Sequence, residues 1–103
     1  MKKLDKPEYK KAHMTGRMGL LTNTTYEKVK EVLGEPTISE PSPDGKTQAE
    51  WWLEFEDGVI VTLYDYKEDQ PVENVTRWSI GGHSRKAVEK LQQLFGGAAE
   101  ADR

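Results

Sequence analysis

Hydrophobic and polar positions alternate most cleanly between Ala49 and Tyr66. There Ala49-Glu50-Trp51-Trp52-Leu53-Glu54-Phe55-Glu56 and Val59-Ile60-Val61-Thr62-Leu63-Tyr64-Asp65-Tyr66 flank an Asp57-Gly58 pair. Two β-rich runs around Asp-Gly predict a hairpin closed by a two-residue type I′ turn, because both central residues of that turn need positive φ. In that register Phe55 faces Ile60, Leu53 faces Thr62 and Trp51 faces Tyr64. Alternate side chains share a face of a strand, so Ala49, Trp51, Leu53, Phe55, Ile60, Thr62, Tyr64 and Tyr66 form the expected core face. The opposite face carries Glu50, Glu54, Glu56 and Asp65 with Trp52, Val59, Val61 and Leu63, an acidic and aromatic surface.

The 3.6-residue period appears twice. Tyr26, Val29, Val32 and Leu33 form one stripe and predict a helix over 25–33. Thr24 is its expected N-cap, with Glu27 completing a capping box, and Gly34 and Pro36 end it. Ala87, Val88, Leu91, Leu94 and Phe95 form a second stripe over 85–95, with Ser84 as the expected N-cap and Gly96-Gly97 as the stop. A strand is expected over 17–21 with Met18 and Leu20 on one side, and another over 75–80 with Trp78 and Ile80 inward. Residues 35–46, rich in Pro, Ser and Gly, are a long loop.

The predicted fold class is therefore α+β, a three- to four-stranded antiparallel sheet with two amphipathic helices packed on one face. The domain spans residues 17–96. It is preceded by a basic arm over 1–16 that Pro7 keeps from forming a long helix, and followed by a disordered tail over 97–103.

Composition sharpens this picture in three ways. Apolar residues make up only 35% of the 103, so the three Trp, four Tyr and two Phe must supply much of the core; each buried aromatic removes roughly 150–250 Å² from water. With no cysteine and two histidines, neither a disulfide framework nor a zinc site is expected, and no cofactor is. No apolar run approaches the ~20 residues of a membrane span and no signal peptide is visible, so a cytoplasmic protein is expected, without membrane partners. The net charge of −3 is uneven. Six basic residues stand against two acidic in 1–20, and four basic against twelve acidic in 27–69. The arm is the one segment expected to touch nucleic acid or an acidic partner.

Candidate chemistry concentrates in Trp78-Ser79-Ile80-Gly81-Gly82-His83-Ser84-Arg85-Lys86. Two glycines, a helix start and two cations suit an anion, with His83 as a switchable donor and Tyr64, Tyr66 or Trp78 available to stack a base beside Lys67. An N-capped glycine turn explains the same residues without a ligand. The second candidate is a partner surface of Trp52, Glu54, Leu63 and Asp65, centred on a tryptophan set among acids; the exposed sheet edge also allows a homodimer. A hydrolase using His83 with Asp65 is the weakest of the readings, and a binding protein rather than an enzyme is expected.

Leu33-Gly34-Glu35-Pro36, Glu50-Trp51, Glu56-Asp57-Gly58, Tyr64-Asp65-Tyr66-Lys67 and Trp78-Ser79-Ile80-Gly81-Gly82-His83-Ser84 together resemble a group of small proteins encoded by bacteriophages and prophages, over about residues 20–95. The resemblance implies action against host immunity in the host cytoplasm. One form is sequestration of an anionic nucleotide signal, and the alternative is an anti-CRISPR-like inhibitor bound to a host defence protein. It carries no functional residues over to this chain.

Overall fold

The computed structural model describes residues 1–102. One antiparallel sheet holds them together, built from β1 (Lys2–Lys3), β2 (Gly16–Leu21), β3 (Glu50–Glu54), β4 (Ile60–Tyr64), β5 (Trp78–Gly82) and β6 (Ala99–Ala101) in the order β1-β3-β4-β5-β2-β6. Three helices accompany it: the single turn α1 (Tyr9–Ala12), then α2 (Tyr26–Leu33) and α3 (Lys86–Phe95). The α+β class and the single antiparallel sheet stand, while the sheet has six strands rather than three or four and a third helix joins the expected two. None of these helices is long and apolar enough to cross a membrane.

The two longer helices cover one face. Val29 and Leu33 of α2 and Ala87, Val88 and Leu91 of α3 join Trp51, Leu53, Val61, Leu63, Trp78, Ile80 and Leu21 in one buried cluster. Trp51 and Trp78 meet edge to face, ring centroids 5.4 Å apart, and Tyr26 lies 5.9 and 6.1 Å from them. Each indole also spends its N–H on backbone beside α2. Trp78 donates to the Thr24 carbonyl ahead of the helix at 2.8 Å, and Trp51 to the Gly34 carbonyl behind it at 2.9 Å. Buried Trp N–H groups need such partners, and here they fix the height of α2 above the sheet.

The hairpin differs from expectation by one residue. Glu54 pairs with Ile60, Leu53 with Val61, Trp52 with Thr62, Trp51 with Leu63 and Glu50 with Tyr64. The Phe55 N–H donates to the Val59 carbonyl and the Gly58 N–H to the Phe55 carbonyl, both at 2.9 Å. Only Gly58 has positive φ, at 84°; Asp57 does not. The loop is thus the three residues Glu56-Asp57-Gly58, a type I turn followed by a left-handed glycine. The Asp57 carboxylate accepts from the Val59 N–H at 3.3 Å and pairs with Lys90 of α3 at 2.7 Å. A one-residue change in loop length inverts one strand against the other. Trp51 and Leu53 point to the core as expected, but on β4 it is Val61 and Leu63 that do, and Thr62 and Tyr64 turn outward with Trp52.

Other boundaries move for local reasons. Thr25 rather than Thr24 caps α2, its hydroxyl accepting from the Lys28 N–H at 3.1 Å, while Thr24 donates to the Thr22 carbonyl. A bulge between Arg17 and Gly19 puts Met18 and Leu21 against the core and frees Leu20 to the other face. Ala99–Ala101, expected to be a disordered tail, pairs with β2 as an edge strand, and Arg17 holds Asp102 at 3.1 Å. Leu94 of α3 is exposed rather than in the core.

The N-terminal arm is docked on the domain. Lys2 and Lys3 pair with β3, Leu4 is fully buried, and its N–H donates to the Trp52 carbonyl at 2.7 Å. Lys11 pairs with Glu54 at 3.0 Å, Lys6 with Glu40, and the terminal ammonium with Glu56 at 3.5 Å. Part of the arm's positive charge is thus matched by acidic residues of this chain's own body.

Candidate functional site

On the sheet face away from α2 and α3, Glu50 and Trp52 of β3 and Thr62 and Tyr64 of β4 form the floor of an open cavity of about 440 Å³. Tyr66 follows from the end of β4. Tyr9, Ala12 and His13 of the α1 segment close one side, and the loop 42–47 closes another. The floor exists because of the three-residue hairpin loop, which sets Trp52, Thr62 and Tyr64 on one face.

The wall at 42–47 is held by its own hydrogen bonds. The Ser42 hydroxyl donates to Asp44 at 2.6 Å and accepts from the Lys46 and Thr47 N–H groups at 3.1 Å. The Ser42 hydroxyl, foremost, holds the Asp44 carboxyl below the usual carboxylate range. The Lys67 N–H donates to the Lys46 carbonyl at 2.8 Å and ties this loop to the end of β4. Glu50 links wall to floor, accepting from the Thr47 hydroxyl at 3.0 Å and from the Trp52 indole N–H at 3.2 Å. Tyr64 and Tyr66 stand edge to face at 6.4 Å. Burial, the largest influence, pushes the Tyr64 phenol above its ordinary value.

Thr62 is the atom-level anomaly of the floor. Its residue is 4% exposed, and its hydroxyl is the one buried side-chain polar atom among the described residues without a hydrogen-bond partner. A buried hydroxyl left so costs about 1–3 kcal/mol. Gly81 stands opposite it on β5, and a Cβ at Gly81 would collide with Thr62 Oγ1. Glycine there leaves room for the Thr62 hydroxyl.

The residues expected to bind a ligand are dispersed. Tyr64 and Tyr66 line the cavity and Lys67 lies just past it, its ammonium 5.2 Å from the Tyr66 ring centroid. Trp78 is in the core on the other face. Gly81 and Gly82 are buried β5 residues rather than a strand-to-helix passage, and a Cβ at Gly82 would lie 2.5 Å from that of Ala87, so this glycine lets α3 sit close to the sheet. His83, Ser84, Arg85 and Lys86 are exposed; Ser84 accepts from the Lys86 N–H at 3.2 Å, and Arg85 donates to the Asp102 carbonyl at 3.1 Å. The helix start is closed by its own chain.

The expected partner surface also comes apart. Leu63 is in the core, and Glu54 is paired to Lys11. Asp65, 1% exposed, accepts from the Gln48 N–H at 2.7 Å, the Ala49 N–H at 2.9 Å and the Gln48 side-chain amide at 3.1 Å. These bonds anchor the approach to β3, with neither His83 nor Lys67 as a partner. Trp52 is half-buried within the cavity floor. Sequence reasoning missed Tyr9, His13, Lys46, Glu50 and Thr62, which share no spacing. No group of His, Asp and Glu among the described residues is placed to hold a metal ion.

Fold and cavity together define an α+β domain with helices over one sheet face and an aromatic cavity on the other. Comparison with protein-family models, with curated proteins and with solved structures gives no match to this chain.

Proposed function

We propose that this protein binds and sequesters a small molecule carrying a flat heteroaromatic ring, of the nucleobase class, without chemical change to it. The observation that carries the reading is a cavity lined by Tyr9, His13, Trp52, Tyr64 and Tyr66, with the unpartnered Thr62 hydroxyl buried beneath its floor. Aromatic walls take the faces of a ring, with roughly 1–3 kcal/mol per stacked base. The carboxylate of Glu50 addresses its edge as an acceptor, and the Thr62 hydroxyl, covered against Gly81 in the free protein, supplies a donor or acceptor when its side chain turns towards the ring. A volume of about 440 Å³ lies in the usual range of small-ligand pockets. Both carboxylates of the cavity already position protein groups, Asp44 the loop and Glu50 the Trp52 indole, which suits recognition better than proton transfer. The resemblance to phage-encoded proteins supplies a setting in which sequestration is a complete task.

The test is a titration with adenosine, guanosine, cytidine and uridine, followed by tryptophan fluorescence and by melting temperature. At least one nucleoside should give a saturable change and raise the melting temperature, since a ligand bound only to the native state must stabilise it. Trp52→Phe should remove the fluorescence response while the core Trp51 and Trp78 signals remain. No saturable response to any of the four overturns the reading.

A further inference from the structure

Tyr66 has a second cavity on its other side, about 200 Å³, bounded by Arg17 of β2, Ser79 of β5, Arg77 just before it, and Lys67 and Glu68. Its chemistry is unlike that of the first. The aromatic cavity sets Asp44 and Glu50 against Lys46, whereas this one gathers three cations around a single carboxylate. Arg17 is partly committed, holding Asp102 through Nε at 3.1 Å. Counting Asp102 with Glu68, three cations still exceed two carboxylates. Arg77 takes part in none of the ion pairs among the described residues.

Lys67 is aimed by the backbone. Its φ of 55° is left-handed, which a lysine adopts only where the surroundings require it. Its N–H is fixed on the Lys46 carbonyl, and its ammonium turns back over the Tyr66 ring. Ser79, 5% exposed, pairs with Tyr64 across β4 and β5 and puts a hydroxyl at the base of the same cavity. Guanidinium, ammonium and hydroxyl donors around a small space are the groups that hold a tetrahedral oxyanion.

We propose that this second cavity is an anion subsite joined to the aromatic one across Tyr66, so that the ligand is a mononucleotide with its base over Trp52 and Tyr64 and its phosphate among Arg77, Lys67 and Ser79. The proposal rests on the ring-binding reading above. The small volume and slight excess of positive charge select one phosphate over a polyphosphate chain.

The test titrates the full chain at low ionic strength with each nucleoside, with its 5′-monophosphate and with inorganic phosphate, in wild type and Arg77→Ala. For the base that binds, the monophosphate should bind about tenfold more tightly than the nucleoside, the scale of one charge-assisted contact. Added salt should shrink the difference. Arg77→Ala should remove most of it and leave nucleoside affinity unchanged. Equal affinities for nucleoside and monophosphate overturn the subsite while the ring reading stands, as does an Arg77→Ala loss equal for both. Phosphate binding that depends on Arg77 with no nucleoside bound overturns the ring reading and the mononucleotide with it, and assigns the cavity to free phosphate.

Discussion

Trp52 stands directly opposite Thr62 across the β3–β4 pair. The relationship follows from one residue of loop. With a two-residue Asp57-Gly58 turn, Thr62 would face the helices, and its hydroxyl would sit among Trp51, Leu53 and Trp78. With Glu56 added to the loop, Val61 and Leu63 take those places and Thr62 moves to the aromatic floor. The same change puts Val61 and Leu63 rather than Thr62 and Tyr64 against the helices, so that no β4 hydroxyl needs a partner among Trp51, Leu53 and Trp78.

Thr62→Val separates stability from binding. Valine has the shape of threonine without the hydroxyl that lacks a partner, and removing an unsatisfied polar group for an apolar one of the same shape is neutral to stabilising. Urea unfolding of the free protein should show stability unchanged or raised by about 1 kcal/mol. Affinity for the bound nucleoside should fall about tenfold. A loss of stability above about 1 kcal/mol would mean that the hydroxyl has a partner in solution.

Gly81→Ala tests what that glycine is for. The added methyl would meet Thr62 Oγ1 and approach Tyr64 Cε1 to 3.4 Å, so destabilisation of about 1–3 kcal/mol is expected, with weakened nucleoside binding because Thr62 must shift. Gly97→Ala, whose methyl meets nothing within 4 Å, is the control and should change stability by less than about 0.5 kcal/mol. Equal unfolding midpoints for the two variants would contradict the packing role.

The parts legible in the sequence were those with strong local signals. Tyr26, Val29 and Leu33 with Gly34 and Pro36 mark α2, and the inward positions of Trp51, Leu53, Trp78 and Ile80 follow from strand alternation. The hairpin was legible but its register was not, since Asp-Gly serves both the two-residue turn and the end of a three-residue loop. Lys2–Lys3 and Ala99–Ala101 carry no β-branched or alternating pattern; they are strands because β3 and β2 offer free edges. Of the candidate site only Trp52, Tyr64, Tyr66 and Lys67 had a signal. Tyr9, His13, Lys46 and Thr62 come together through the docking of the arm and the fold of the loop, long-range events that leave no spacing in the chain.

Asp65 has a structural role that two substitutions can expose. Both backbone donors, from Gln48 and Ala49, converge on Oδ1, and the Gln48 amide reaches Oδ2. Asp65→Ala strands them and should cost about 2–4 kcal/mol. Asp65→Asn can keep its amide oxygen on the two N–H groups and lose only the Gln48 side chain, at roughly 1–2 kcal/mol. Nucleoside affinity measured below the melting transition should be nearly the same in Asp65→Asn as in wild type. A large loss of affinity with little loss of stability would reverse the assignment and make Asp65 a ligand contact.

Alkaline pH should weaken the fold through two phenols. Burial, the leading cause for each, pushes Tyr26 and Tyr64 above the ordinary value, with the Lys30 ammonium 4.4 Å from the Tyr26 ring opposing part of the shift. Below about pH 10 both the folded and unfolded chains keep these protons and the phenols add no slope. As pH rises past that value the unfolded chain releases them first, so the folded state holds more protons and stability falls with rising pH. Urea midpoints taken from about pH 9 to about pH 11 should therefore decline. The difference between wild type and Tyr64→Phe isolates one phenol from the lysines that titrate in the same range: the variant should decline less steeply, and parallel curves would show that the Tyr64 hydroxyl is as well hydrated in the fold as outside it.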